Sequence, residues 1–204
     1  MRALILVDIQ NDFLPGGALA VPAGDEVVPI ANALSGRFNL VVATQDWHPP
    51  EHGSFAANHQ GRSPGERVDL DGLDQILWPV HCVQGTAGAS FASALDVAAL
   101  DAVFRKGTDP RVDSYSGFFD NGRRNETGLG RWLKALRVDE VFVLGLATDY
   151  CVRWTALDAV SLGFATTLVA DGCRGVGLGP TDVADAIDEL RAAGVAVVDS
   201  QSLL

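Results

Sequence analysis

The stretch EVFVLGLA (140–147) runs without a break into TDYCVRWTALDAVSLG (148–163). Its first half is apolar at successive positions, so no face is left for water, and that is the pattern of a strand covered on both sides. Its second half has helical spacing, and Gly163 stands where a left-handed C-cap would end the helix. A both-faces-buried strand leading directly into a helix is half of a parallel crossover unit. The same alternation recurs outward in both directions. RALILV (2–7), NLVVAT (39–44), LDAVFRK (100–106), ATTLVA (165–170) and VAVVD (195–199) are the other strand-like runs. GDEVVPIANALSG (24–36), with Val27, Ile30, Ala31 and Leu34 at helical spacing and Gly36 as C-cap, is a helix. ETGLGRWLKALR (126–137) and TDVADAIDELRAAG (181–194), closed by Gly194, are two more. The pattern predicts an α/β fold, a three-layer αβα sandwich on a mainly parallel sheet of about six strands, in a single domain over 1–204.

Composition narrows the function. Of 204 residues 48% are apolar, in runs too short for the ~18 consecutive apolar residues of a membrane span. The opening MRALILVDIQNDF meets Asp8 too early for a signal peptide's apolar region and is expected to be a strand of a cytoplasmic protein. A net charge of -11 argues against nucleic acid or an anionic membrane as partner, since both require a positive face. Three cysteines, Cys82, Cys151 and Cys173, make no disulfide framework and suit a reducing compartment. The segment from Trp47 to Ala87 breaks the rhythm; long, rich in Gly, Pro and His, it is the kind of connection that usually carries function.

In an open parallel sheet ligands bind beyond the carboxyl ends of the strands. The polar residues at those ends are Asp8, then Asp46, His48 and His52, then Lys106, then Thr148, Asp149 and Cys151. A lone cysteine is more often a small packed hydrophobe. At a helix entrance, however, unpaired N–H groups favour a thiolate and can hold a developing oxyanion. Asp8 lies between Val7 and Ile9, so burial is expected to raise its pKa into a range useful for proton transfer. Lys106 ends an apolar run and is expected to hold both the acid and the thiol as anions. Asp46 and His48 project to one side of an extended segment; with His81 they offer one carboxylate and two imidazoles, a set suited to a divalent transition metal such as zinc or iron. His52 and His59 are spare candidates. Phe13 and Trp78 would form a slot for a flat ring if both face the rim. Cys82 is read as packing, and Cys173 lies in the glycine-rich DGCRG with no assigned role.

These blocks have a familiar form. DIQNDFLPGG, QDWHPPEHGSF, WPVHCVQGT, FRKGTDPRVDSYSGF and GLATDYCVRWTALDA resemble, in order and over most of the chain, the nicotinamidase/pyrazinamidase branch of the isochorismatase-like cysteine hydrolases. The resemblance implies a catalytic triad of Cys151, Asp8 and Lys106, and metal ligands Asp46, His48 and His81, with His52 or Ser54 beside them. It implies a cis peptide at Leu146–Ala147, with the amides of Ala147 and Cys151 as oxyanion hole, and ring-binding roles for Phe13 and Trp78. The activity implied is hydrolysis of nicotinamide, and of analogues such as pyrazinamide, to the acid and ammonia in NAD salvage. The metal would be zinc first, with iron or manganese also accommodated, and relatives often form homo-oligomers. Two rivals remain at this level. A carbamoyl amidohydrolase or a vinyl ether hydrolase of the same fold would not need the Asp46, His48 and His81 set. A non-catalytic thiol and metal sensor, encouraged by Cys82 beside His81, would not need acid, base and thiol on one rim.

Overall fold

Every apolar run named above becomes a strand of one sheet. The computed structural model describes residues 1–204. In chain order it contains β1 (Arg2–Val7), α1 (Val27–Ser35), β2 (Val41–Asp46), β3 (Arg67–Leu70), β4 (Leu73–Ile76), β5 (Ala102–Lys106), α2 (Leu129–Ala135), β6 (Glu140–Leu146), α3 (Arg153–Ser161), β7 (Ala165–Arg174), α4 (Asp182–Ala192) and β8 (Ala196–Val198). Six strands form one sheet in the order β5-β2-β1-β6-β7-β8, and every neighbouring pair is parallel. From β1 the chain first steps outward to β2 and β5, then crosses back to β6 and continues the other way. Right-handed crossovers in opposite directions put their connections on opposite faces. That places α1 on one side and α2, α3 and α4 on the other, giving three layers. α1 packs on β1, β6 and β7; α3 packs on β6 and β7 beside α4.

The central strands have no exposed face. Leu4, Ile5, Leu6 and Val7 of β1 and Val141, Val143 and Leu144 of β6 are wholly buried. Each large aliphatic side chain of this kind stabilises the fold by about 1.5–3 kcal/mol relative to an exposed one. This is why the runs lack polar alternation. Gly145 interrupts β6 for a steric reason. Its φ is +128°, and a β-carbon there would sit 2.2 Å from the Val7 carbonyl oxygen. The next peptide, Leu146–Ala147, is cis.

The structure redraws several boundaries. β7 continues to Arg174 through an irregularity opposite Val143 and Gly145, so Cys173 lies on a strand rather than in a loop. Its thiol donates to the Val169 carbonyl at 3.3 Å, and burial pushes its pKa up to about 12. α2 starts at Leu129, not at residue 126, because Gly128 takes φ +92° and the Thr127 hydroxyl accepts the Leu129 N–H. Gly163 and Gly194 are left-handed as expected, at φ +87° and +90°, whereas Gly36 follows α1 in a right-handed conformation. The segment from Trp47 to Ala87 contains an antiparallel hairpin, β3 with β4. Its turn is Asp71-Gly72 with φ of +52° and +85°, the two positive values that an Asp-Gly hairpin turn requires. The dipeptide between VDL and LDQI was a legible signal for it. No helix is long and apolar enough to cross a membrane.

Candidate active site

The carboxyl ends of β1, β2, β5 and β6 share one edge of the sheet. The direction of strand order reverses between β1 and β6, which is where open α/β sheets form their ligand crevice. Asp8 follows β1 with φ +49°, Asp46 ends β2, Lys106 ends β5, and Cys151 follows β6 within a wide π turn over Thr148–Val152. The regular helix begins only at Arg153, so Cys151 stands at its entrance.

Lys106 is the hub. Its ammonium lies 2.8 Å from Asp8 Oδ2 and 2.8 Å from Asp46 Oδ1. It also donates to the Ser114 carbonyl at 2.9 Å and to Cys151 Sγ at 3.4 Å. Asp8, Asp46, Ser114 and Cys151 share its three protons. Asp8 Oδ2 lies 2.8 Å from the ammonium and, as a carboxylate oxygen, has a further lone pair with which it can receive a proton. The other Asp8 oxygen is anchored by the Thr44 hydroxyl, which donates at 2.6 Å and accepts the Asp8 N–H at 3.2 Å.

Protonation differs from the sequence expectation in one respect. Lys106 does not hold both neighbours as anions. Burial drives the Asp8 pKa upward against the pull of Lys106, and burial likewise pushes the Cys151 thiol well above its usual range. Burial thus favours the neutral thiol on Cys151 and makes the Asp8 carboxylate a better acceptor for its proton. Burial also opposes the charges on Asp46 and Lys106. Lys106 and His48 nevertheless hold the Asp46 carboxyl well below its ordinary range, while Asp46 and Asp8 keep Lys106 charged.

Asp46 faces two ways. Its second oxygen lies 3.3 Å from His48 Nε2 and 3.8 Å from His81 Nε2. The opposite nitrogens of these rings, the Nδ1 atoms, donate to the carbonyls of Gly107 and Pro79, both at 2.8 Å. A carbonyl can only accept, so each Nδ1 carries a proton, and in the neutral ring that a metal would bind the lone pair is on Nε2, on the Asp46 side. The donor atoms of Asp46, His48 and His81 come within 4.8 Å of one another, all on buried residues. Chemically and geometrically this set suits a divalent transition metal. His52 is buried too, its pKa lowered to about 4 by burial and by His48, while His59 faces the Gly53 carbonyl through Nε2 at 2.7 Å. Ser54 lies within hydrogen-bond distance of His52 Nδ1.

Between thiol and imidazoles lies a narrow cleft, lined by Phe13, Trp78, Tyr115, Ala147, Tyr150 and Cys151 among others. Phe13 and Trp78 both face it. Tyr150 packs edge-on to Trp78 at 5.0 Å, and the Tyr115 hydroxyl accepts the Trp78 indole N–H at 3.2 Å. The Ala147 N–H makes no hydrogen bond within the chain. Sequence reasoning missed Tyr115 and Tyr150, and it missed the supports. Gln10 is wholly buried and holds the Asp46 backbone at both ends: its amide donates to the Asp46 carbonyl, and its oxygen accepts the Asp46 N–H, each at 2.8 Å. Phe55 packs edge-on to His48 and His81. Asp12 accepts the Cys82 N–H at 2.7 Å, fixing the residue after His81 at φ +45°. Cys82 itself is packing, its thiol raised far above its usual range by burial.

The Isochorismatase domain model matches residues 2–202. The chain belongs to the isochorismatase family, as its fold and the match over nearly its whole length define. Within that family its relatives are specific. A nicotinamidase of Escherichia coli is 54% identical over 95% of this chain and 92% of its own length. A nicotinamidase/pyrazinamidase structure from Acinetobacter baumanii superposes with a TM-score of 0.96 at 46% identity, covering 100% of this chain and 98% of that one. A Pyrococcus horikoshii pyrazinamidase, solved in complex with zinc, has a TM-score of 0.79 at 39% identity, covering 97% of this chain and 98% of that one. The chain stands in the nicotinamidase branch and is a hydrolase acting on a carboxamide.

Proposed function

We propose that this chain hydrolyses nicotinamide, and analogues such as pyrazinamide, to the carboxylic acid and ammonia through a thioester on Cys151. The observation that carries the reading is the position of Lys106, 2.8 Å from Asp8 and 3.4 Å from the Cys151 sulfur at the wall of an aromatic cleft. Asp8 takes the thiol proton on Oδ2. The sulfur attacks the carboxamide carbon, and the N–H groups of Ala147 and Cys151 receive the developing oxyanion. Lys106 offsets the negative charge that moves between carboxylate and sulfur. Asp8 returns its proton to the departing nitrogen, which leaves as ammonia. It then removes a proton from the water that attacks the thioester, and the thiol is restored. Phe13 and Trp78 hold the ring faces and so fix the carboxamide against the sulfur.

Asp46, His48 and His81 would hold one divalent transition metal, zinc in first place. When bound, it supplies a Lewis acid for the ring nitrogen of the substrate. Support comes from the outward lone pairs of the two imidazoles and from the zinc bound by the Pyrococcus relative. The three ligands also speak against a carbamoyl amidohydrolase or vinyl ether hydrolase, which would not need them. The reaction would return free nicotinamide toward NAD.

The direct test is ammonia release from nicotinamide by the purified chain, before and after chelation. Turnover that falls on chelation and returns with added zinc, iron or manganese is the expected result. Binding without turnover would favour the sensor reading, and a fully active metal-free protein would remove the metal from the mechanism. A second expectation concerns Gly107, which has φ +65°; a β-carbon there would fall 2.3 Å from His48 Cε1. Gly107→Ala must shift His48 and strain the carbonyl that orients it. Metal retention should drop about tenfold or more, as loss of such outer support usually causes. Retention equal to that of the unaltered chain in a competition titration would show that the support is dispensable.

A further inference from the structure

His52 has a buried Nε2 that meets no hydrogen-bond partner, on a residue with no exposed surface. Its other ring nitrogen, Nδ1, receives the Ser54 N–H at 3.2 Å and lies 2.7 Å from the Ser54 hydroxyl. A backbone N–H can only donate, so the lone pair is on Nδ1 and the proton of the neutral ring is on Nε2. This is the reverse of His48 and His81, whose Nδ1 atoms donate to carbonyls. A protonated ring nitrogen has no lone pair to give a metal. Distance agrees. Ligands bound at about 2.0–2.2 Å lie at most about 4.4 Å apart, yet His52 gathers with His48 and Asp113 and falls outside the set made by Asp46, His48 and His81. Nor does His48 serve a second ion there, since its two nitrogens already face Gly107 and Asp46.

We infer that His52 is not a metal ligand in this chain but a fixed N–H donor beside the site, aimed at an oxygen ligand of the ion on the His48–Asp113 side. Asp113 supplies acceptor capacity next to it. Its oxygens are held by the Ser114 N–H at 2.8 Å and the Gln75 amide at 2.9 Å. The ring of His52 packs on that of His48 with centroids 4.3 Å apart, which keeps the donor against the ligand shell. His52 is thus a positioning residue. Its effect passes through the oxygen it holds, and Ser54 acts by setting its tautomer. This inference rests on the proposal that Asp46, His48 and His81 bind a metal.

The test is X-ray absorption on the full chain loaded with zinc or cobalt, which counts imidazole ligands, together with metal retention by competition titration. The unaltered protein, His52→Leu and His52→Gln should all show two imidazoles. His52→Leu should lose about tenfold in metal affinity, and His52→Gln, whose amide can still donate, should recover most of it. Three imidazoles in the unaltered protein, falling to two in His52→Leu, would overturn the inference while leaving the metal site standing. Unchanged retention in His52→Leu would overturn the donor role. A protein that takes up no metal would remove the underlying reading and this inference together. The count on the unaltered chain decides the ligand question even where a variant fails to fold.

Discussion

Replacing Cys151 by alanine leaves a folded, metal-retaining protein whose ammonia release from nicotinamide is slower by roughly 10⁴-fold or more. The size follows from the role. Without the sulfur no thioester forms, and only the aromatic clamp and the free amide of Ala147 remain to favour hydrolysis. The fold should survive because the change removes one atom from the cleft wall and one of several contacts of Lys106. Asp46, Asp8 and the Ser114 carbonyl still hold the ammonium. Ammonia assay, metal content and thermal melting on the same preparation read all three statements. Near-normal turnover would show that the thiol is not the nucleophile.

Lys106→Met should cost both activity and stability. It abolishes turnover and destabilises the chain by about 3–5 kcal/mol, the usual cost of leaving buried charge uncompensated. For a domain of this size that lowers the melting temperature by about 10 °C. Two carboxylates, Asp8 and Asp46, share the ammonium, and all three side chains have almost no exposed surface. Removing the cation leaves two buried negative groups facing each other. The pH dependence follows with its sign. In the unaltered protein Asp46 has a lowered folded pKa, so its stabilising contribution is present above the unfolded carboxylate value and disappears as pH falls through the lower folded one. The variant lacks that contribution, and burial then favours the neutral acids. Its deficit should be full near neutral pH and shrink as acid protonates Asp8 and Asp46. Melting curves across pH in the presence of chelator would check this. A deficit that grows on acidification would contradict it.

Much of the architecture was legible because the central strands are buried on both faces and therefore carry unbroken apolar runs. Asp8, Lys106 and Cys151 were legible because each breaks or follows such a run at the same end of the sheet. The supports were not. Thr44 looks like an ordinary strand residue; only the pairing of Leu6 with Ala43 brings its hydroxyl beside Asp8. Gln10 grips Asp46 across 36 residues of chain, and nothing local marks an amide for that task. Tyr115 and Asp113 lie in the long connection after β5, where hydrophobic periodicity gives no guide to direction. The hairpin was missed for a different reason. Its Asp-Gly turn was visible, but the flanking strands are short and polar. The protonation of the thiol was misjudged because opposite charge was weighed without the burial that competes with it.

The proposed reaction passes through a covalent bond between the Cys151 sulfur and the acyl carbon of the substrate. Rapid acid quenching during turnover of nicotinamide, followed by digestion and mass spectrometry, measures that bond directly. A nicotinoyl adduct on the peptide containing Cys151, absent in Cys151→Ala, is the result expected. An adduct on Cys82 or Cys173, or turnover by a thiol that is never acylated when product release shows a burst, would contradict the account.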